Sequence, residues 1–337
     1  MGHIMKYKSI VATRRGGPDA LQIVEQDLKE PAAGEARIKI LASSVSSDDV
    51  GHRYGNRPFA PKIPFVPGYA IVGIVDALGA GVTAVAEGDR VGALTVTGGY
   101  AEYIFLKSAD LFRVPAALDA AQITPLIENY MTAYQMLHRT ARVKAGDKIL
   151  VIGASGGVGI ALLQLGKLAN LTIYGTASQS KHSVLGELGA HPIDYHNQDF
   201  VEIVRRAEPG GLDYVFDGVG GDYATRALSL VRRGGKVIEY GAASGNIALL
   251  AGLLKLVLAS LTSRGKAFAL FGLTGFYKMN NRPYMEDLAI LFTLVEEGKL
   301  KPIVMRCFPL LQAASANELQ ESGNVIGNLV LLAPELF

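Results

Sequence analysis

The run Lys148-Ile149-Leu150-Val151-Ile152 passes directly into Gly153-Ala154-Ser155-Gly156-Gly157-Val158-Gly159, and no other stretch constrains the fold as strongly. The apolar residues read as a buried strand, and 157–169 reads as a helix. A strand that turns into a helix through closely spaced glycines opens a βαβ unit, which commits this part of the chain to a parallel sheet. Glycine tolerates positive φ and has no Cβ, so the backbone there can lie close to a pyrophosphate. The helix that follows offers unpaired N–H groups and the positive end of its dipole to the same anion. The stretch reads as a dinucleotide-binding loop with Ser155, Gly156, Gly157 and Val158 as its contacts. The alternative is a tight strand–helix turn that binds nothing.

The next strand reads as 171–175 and ends ~20 residues past the first glycine, where an NAD site places Asp or Glu against the ribose hydroxyl. Here the chain has Thr176-Ala177-Ser178-Gln179-Ser180-Lys181 and no acid. A carboxylate would repel a 2′-phosphate, whereas Ser178 and Lys181 can bond one. The same serines also suit the cap of a helix starting near Lys181. The two readings are compatible, because a helix N-terminus attracts anions. NADPH is the expected cofactor.

A chain of 337 residues suggests two domains. With 49% hydrophobic and 19% charged residues it reads as a soluble globular protein with a sizeable core. A net charge of +2 gives no reason to expect a nucleic-acid partner. Cys307 is the only cysteine, which rules out an intramolecular disulfide and a Cys-rich zinc site, and suits a reducing, cytoplasmic setting. Met1-Gly2-His3-Ile4 reads as a vector remnant before a natural start at Met5, with no secretion signal. Ile247 to Leu261 is nearly all apolar but interrupted by Lys255. It is shorter than the ~20 residues of a membrane span, so it reads as a core or pocket-lining helix and no membrane partner is expected.

Residues 6–120 are rich in β-type alternation, Gly and Pro, as in Ala36 to Leu41, Ala70 to Val75 and the turn Glu87-Gly88-Asp89 into Arg90-Val91. From about residue 122 helices and strands alternate. Strands are expected at 148–152, 171–175, 213–217 and 235–240, and helices at 157–169, 181–188, 198–206 and 222–232. That is a doubly wound parallel sheet. Residues 284–297 read as an amphipathic helix, followed by strands near 302–308 and 327–332 that fold back onto the N-terminal β-rich part. There is no internal repeat.

Several ordered motifs accompany this pattern. Asp49, Arg53 and Gly55 precede Pro64-Phe65-Val66-Pro67-Gly68. Then come Gly88-Asp89-Arg90-Val91, Gly98-Gly99-Tyr100-Ala101-Glu102-Tyr103, Asn129-Tyr130-Met131-Thr132-Ala133-Tyr134 and the glycine run. Together they resemble the medium-chain dehydrogenase/reductase superfamily, and within it the zinc-independent, zeta-crystallin-like quinone oxidoreductases. The resemblance covers nearly the whole chain. It implies a β-rich, GroES-like, partly open barrel domain at 5–122 and 284–337, and a Rossmann nucleotide-binding domain at 123–283. It also implies that Lys181 and Tyr195 hold the 2′-phosphate. Gly241, Ala242, Phe271 and Leu273 are then expected to present backbone to the nicotinamide. Zinc-dependent relatives have Cys near the place of Ser46, Gly-His-Glu where Gly68-Tyr69-Ala70 stands, and a four-Cys lobe. No metal site is expected, and His52 reads as a surface or core imidazole.

Without a Lewis acid, alcohol oxidation is disfavoured, whereas hydride transfer to a quinone or conjugated enone needs only a dry pocket and a few hydrogen bonds to the developing oxyanion. Ser46 takes the place of a family Asn near the nicotinamide. Asp49 matches a family acid that reads mainly as tying its loop together. Thr132 is expected beneath the nicotinamide, or else bonded to its own helix. Gly51 and Arg57 stand where some quinone reductases carry tyrosines, which leaves Tyr54 or Tyr69 as substitute donors. Asn328 replaces a family Lys near the cofactor. The expected function is hydride transfer from NADPH to a quinone. The alternatives are reduction of α,β-unsaturated carbonyls, and a cofactor-binding protein with little turnover, as in the family's lens crystallins and a vesicle-associated protein. Lys266 to Phe271 reads as a sheet edge, and edges of this kind join homodimers in the family.

Overall fold

The structure, a computed structural model, describes residues 5–241 and 265–337. The chain divides into two units, Met1–Glu128 with Leu288–Phe337, and Asn129–Asp287. The first begins with β1 (Lys6–Ala12), β2 (Leu21–Asp27) and β3 (Glu35–Val45), then α1 (Ser47–Tyr54). It continues through β4 (Ala70–Leu78), β5 (Arg90–Leu94), β6 (Tyr103–Lys107), β7 (Phe112–Arg113) and α2 (Ala120–Pro125). Strict alternation along β3 buries Ala36, Ile38, Ile40 and Ala42 on one face. Ser46 starts α1 by a reciprocal cap: its side chain accepts from the Asp49 N–H while the Asp49 side chain accepts from the Ser46 N–H. Gly55, at φ 74°, ends the helix in the left-handed region that a side chain disfavours.

The second unit opens with α3 (Met131–Gln135), reached through a π-helical turn at Leu126–Tyr130. Then follow β8 (Lys148–Ile152), α4 (Gly157–Leu168), β9 (Thr172–Ala177), α5 (His182–Glu187), β10 (Ala190–Asp194), α6 (Phe200–Ala207), β11 (Leu212–Asp217), α7 (Tyr223–Ala227), β12 (Val231–Glu239) and β13 (Ala267–Leu270). The strands lie in the order β10-β9-β8-β11-β12-β13, all parallel. That is the 3-2-1-4-5-6 order of a Rossmann sheet. Ile149 to Ile152 are fully buried, as a strand covered on both faces requires.

The helices Leu273–Met279 and Arg282–Glu296 lead the chain back to β14 (Val304–Pro309), the helix Ala313–Glu321 and β15 (Asn328–Leu332). The sheet of the first unit then runs β14-β15-β3-β4-β5-β7, with β6 also paired to β3. β3 is long enough to pair with β6 through Glu35–Lys39 and with β15 through Ala42–Val45. The fold is mixed α/β: a parallel Rossmann sheet and a separate GroES-like sheet unit.

Several expectations need correction. The second strand of the Rossmann unit runs through Thr176 and Ala177 rather than ending at Gly175. β10 was not foreseen, because His191-Pro192 breaks the apolar run; an edge strand tolerates that proline. The helix expected at 222–232 stops at Ala227, and Val231 pairs with Leu212 instead. Once Leu212 is in the ladder, its partner cannot remain helical. The helix Ala313–Glu321 was also unforeseen. Ala242, Ala243 and the apolar stretch 249–261 lie outside the described residues. No helix among the described residues is long and apolar enough to cross a membrane.

Candidate functional site

In a doubly wound sheet ligands settle outside the carboxyl ends of the strands, where the strand order reverses. Here that point lies between β8 and β11. Gly153 leaves β8 at φ 82°, and a Cβ there would meet Val219 Cγ2, from the turn after β11, at 3.3 Å. The Thr176 hydroxyl at the end of β9 accepts the Gly153 N–H (3.0 Å), and the Ala154 N–H donates to the Thr176 carbonyl (3.0 Å). Thr176 therefore holds the glycine loop from the neighbouring strand, a role the motif did not suggest.

The glycines of this loop are required for two different reasons. At Gly159 a Cβ would stand 2.6 Å from the Ala154 carbonyl oxygen, so α4 packs onto β8 only without a side chain. Gly156 is exposed, and the nearest heavy atom to a Cβ there is the Gly153 carbonyl oxygen at 3.7 Å. Nothing in the protein excludes a methyl group at 156. That position, at the N-cap of α4 with no side-chain cap, suits a pyrophosphate lying on the helix N-terminus. The residues present fit a dinucleotide.

At the end of β9, Ser178 precedes a 3-10 turn, Gln179–Lys181, and makes no side-chain cap. Its hydroxyl lies 3.3 Å from that of Ser180 instead. The Lys181 ammonium donates to the Ser155 hydroxyl at 3.2 Å, tying the end of β9 to the glycine loop. Burial lowers the Lys181 pKa. Tyr195, just past β10, is exposed and lies against the His196 ring with centroids 4.2 Å apart. Ser155, Ser178, Lys181 and Tyr195 thus share the carboxyl edge of β8, β9 and β10.

On the other side of the reversal, Asp217 ends β11 fully buried. One carboxyl oxygen accepts the N–H groups of Val219 and Gly220, both at 2.9 Å, and burial raises its pKa. Gly241 backs onto Gly218, whose carbonyl carbon would lie 2.9 Å from a Cβ at 241. The small residue there already follows from backbone packing. Phe271 and Leu273 are both buried; the Phe271 N–H donates to the Glu239 carbonyl, and its ring faces Phe276. Thr132 is buried on α3, which packs against α4.

The first unit holds a separate polar cluster. Asp49 is buried, and its carboxyl accepts the Gly68 N–H (2.8 Å), the Ser46 N–H (3.0 Å) and the Ser46 hydroxyl (3.1 Å). Desolvation outweighs those donors and pushes its pKa up to about 7. Beside it lies Glu128, which the sequence reading passed over. It is buried in the π-helical turn after α2, 2.9 Å from the Ser44 hydroxyl, and desolvation and then Asp49 raise its pKa well above the usual range. Tyr100 and Asn317 complete the cluster, with the Asn317 amide 3.4 Å from the Tyr100 hydroxyl. The signal for Glu128 was its isolation: it is the only acid in the stretch Ala120 to Ala141.

Other candidates are committed elsewhere. The Asn328 amide donates to the Ile303 carbonyl at 2.9 Å, joining the segment before β14 to β15. The Tyr54 hydroxyl donates to Glu321 (2.8 Å), and Tyr69 is buried with its ring facing that of His52. His52 is itself buried, and desolvation lowers its pKa. The departures at Gly51 and Arg57 are one feature. The Arg57 side chain fills the space of a Cβ at Gly51, with Nε 2.7 Å from it, and Arg57 pairs with Asp48 at 2.9 Å. Among the described residues no group of three or more His, Cys, Asp or Glu is placed to hold a metal ion.

Comparison with known proteins agrees with this architecture. The family profile described as alcohol dehydrogenase GroES-like domain matches residues 32–116, and that described as zinc-binding dehydrogenase matches 188–331. The 2-haloacrylate reductase of a Burkholderia species is 32% identical, over 96% of this chain and 98% of that protein. The synaptic vesicle membrane protein VAT-1 homolog of Rattus norvegicus is 32% identical, over 97% and 85%. The quinone oxidoreductase of Pongo abelii is 30% identical, over 94% and 95%. Among solved structures, human VAT-1 homolog-like protein aligns with a TM-score of 0.84 at 29% identity, over 98% of this chain and 99% of that one. Mycobacterial Rv1454c complexed with NADPH aligns at 0.84 and 27%, over 97% and 99%.

A two-unit oxidoreductase that uses a nicotinamide cofactor is the class defined by the fold, the glycine loop and these likenesses. The chain belongs to the medium-chain dehydrogenase/reductase superfamily, in its quinone oxidoreductase-like branch.

Proposed function

We propose that the protein is a zinc-independent reductase that takes hydride from NADPH and delivers it to a quinone. The observation that carries the NADPH reading is the Lys181–Ser155 hydrogen bond, which sets a cation beside the phosphate loop at a strand end bearing serines and no acid. When bound, the cofactor supplies the hydride. Ser155 to Val158 and the α4 N-terminus hold its pyrophosphate, and Ser178, Lys181 and Tyr195 receive the 2′-phosphate. Reduction of a quinone or enone spreads the arriving charge onto an oxygen, so a few donors replace a Lewis acid. Reduction of conjugated enoates is a second reading, supported by the likeness to the 2-haloacrylate reductase along nearly all of both chains.

NADPH consumption with benzoquinone, phenanthrenequinone and 2-chloroacrylate as separate acceptors, with and without chelator, tests the proposal. Saturable quinone turnover that ignores chelator is the expected result; turnover of 2-chloroacrylate alone moves the assignment to enoate reduction. Lys181→Ala is expected to weaken NADPH binding about tenfold to a hundredfold, the range of one to two charge-assisted hydrogen bonds, and to leave NADH binding unchanged. Fluorescence titration of both cofactors decides it: equal losses would show that Lys181 does not read the 2′-phosphate.

A further inference from the structure

We propose that Asp217 and Glu239 form a carboxyl pair at the nicotinamide end of the dinucleotide site, and that the pair favours the oxidised, cationic ring by giving up one proton when it binds. The proposal rests on the nicotinamide-cofactor reading, but not on the 2′-phosphate or on the acceptor. Every residue it uses lies in the second unit. Ser178, Lys181 and Tyr195 stand just past the ends of β9 and β10, and the glycine loop follows β8. A dinucleotide spans the point where the strand order reverses, so its other half extends over the ends of β11 and β12.

Asp217 and Glu239 end those two strands and are partners in the parallel ladder. Their side chains therefore leave the same face of the sheet, from strands about 4.8 Å apart. In the same row Ile152 is the partner of Asp217 on β8, and Leu270 is the partner of Glu239 on β13. The two carboxyl groups thus interrupt an apolar row at the carboxyl ends of neighbouring strands.

A purely structural account covers only part of this. One Asp217 oxygen accepts the Val219 and Gly220 N–H groups, which an asparagine would do as well. The other, Oδ2, is buried and has no hydrogen-bond partner among the described residues. Leaving such an atom unpaired is costly and calls for a reason. The titratable groups facing the pair are Asp222, in the turn after β11, and the Tyr240 phenol; among the described residues no cation offsets them. Burial raises the pKa of Asp217, and burial and then Asp217 raise that of Glu239. The pair is short of a positive charge, and a proton takes its place.

The reduced nicotinamide ring is neutral and the oxidised ring carries a positive charge. Against the neutral ring the pair keeps its proton. Against the cationic ring one carboxyl O–H bond breaks, the proton goes to water, and the site's total charge is unchanged. Asp217, held by two N–H groups, keeps its charge, and half-buried Glu239 is the group that releases the proton. Tighter binding of the oxidised form makes the bound reduced form a stronger hydride donor.

The test is calorimetric titration of NADP+ and NADPH near neutral pH, in phosphate and in Tris, whose different ionisation enthalpies reveal the protons exchanged. The 2′-phosphate and Lys181 are common to both titrations, so their protons cancel in the difference. Wild type is expected to release more protons with NADP+ than with NADPH, and its relative affinity for NADP+ should rise with pH. Glu239→Gln should abolish the difference and raise the ratio of NADP+ to NADPH dissociation constants at least about tenfold, the effect of one opposite charge within about 6 Å of a carboxyl. Glu239→Asp should retain the proton release. Asp217→Asn keeps an acceptor for the two N–H groups and should raise the ratio as well, so the result does not hang on the folding of one variant. Equal proton release with both cofactors in wild type overturns the proposal alone, as does an unchanged ratio in both Glu239→Gln and Asp217→Asn. A wild type that binds neither cofactor overturns the nicotinamide reading and this proposal with it.

Discussion

Gly156→Ala is expected to leave the fold intact and to weaken binding of the dinucleotide by at least about tenfold. A methyl group at 156 meets nothing closer than 3.7 Å, so the protein itself gives no reason for glycine there. What the methyl would displace is a phosphate lying against the N-terminus of α4, where close backbone approach is the source of affinity. Gly159→Ala is the contrast. Its Cβ would collide with the backbone of Ala154, so the loss is expected in stability, about 1–3 kcal/mol, with weaker binding as a consequence. Thermal melts beside NADPH titrations separate the two. Unchanged affinity in a well-folded Gly156→Ala would mean that the loop is only a tight turn.

Asp49→Ala is expected to destabilise the protein by about 3 kcal/mol near pH 5 and by much less near pH 8. Its removal strands the N–H groups of Ser46 and Gly68 and breaks the reciprocal cap of α1, and each buried donor left unpaired costs about 1–3 kcal/mol. The pH dependence follows from the direction of the shift. Desolvation raises the folded-state pKa from 3.8 to about 7, so the folded protein binds this proton more tightly than the unfolded chain does. The resulting stabilisation is complete below the unfolded value and is lost as pH rises through about 7, a span worth on the order of 4 kcal/mol. Glu128, raised in the same way, adds to the slope. Denaturant unfolding of both proteins across this range checks it. A difference between them that grows with pH would mean that Asp49 is stabilised as a carboxylate.

Local chemistry made the parallel sheet legible. Apolar runs such as Ile149 to Ile152 are buried on both faces, and a glycine loop followed by an apolar helix has few alternatives. The strand edge carrying Ser178 and Lys181 was legible for the same reason, since it lies at a set distance along one βαβ unit. Elements whose state depends on a distant partner were not. Residues 228–232 look helical alone, but Leu212 draws Val231 into a ladder. β10 holds a proline that only an edge strand accepts.

The polar cluster divides in the same way. Ser46 and Asp49, three residues apart, carry a capping signature that the sequence contains in full. Glu128 stands 84 residues from Ser44 and looks like a helix-surface acid. Only packing decides that it is buried and faced by Asp48 and Asp49. Likewise, Gly51 and Arg57 read as two separate departures until the side chain of one is seen to occupy the space left by the other. From its sequence alone this chain determined the Rossmann sheet and the glycine loop between β8 and α4, because these follow from contacts between near neighbours. Tertiary structure decided which acids are buried and have their pKa raised, because that depends on desolvation by residues that no local spacing brings together.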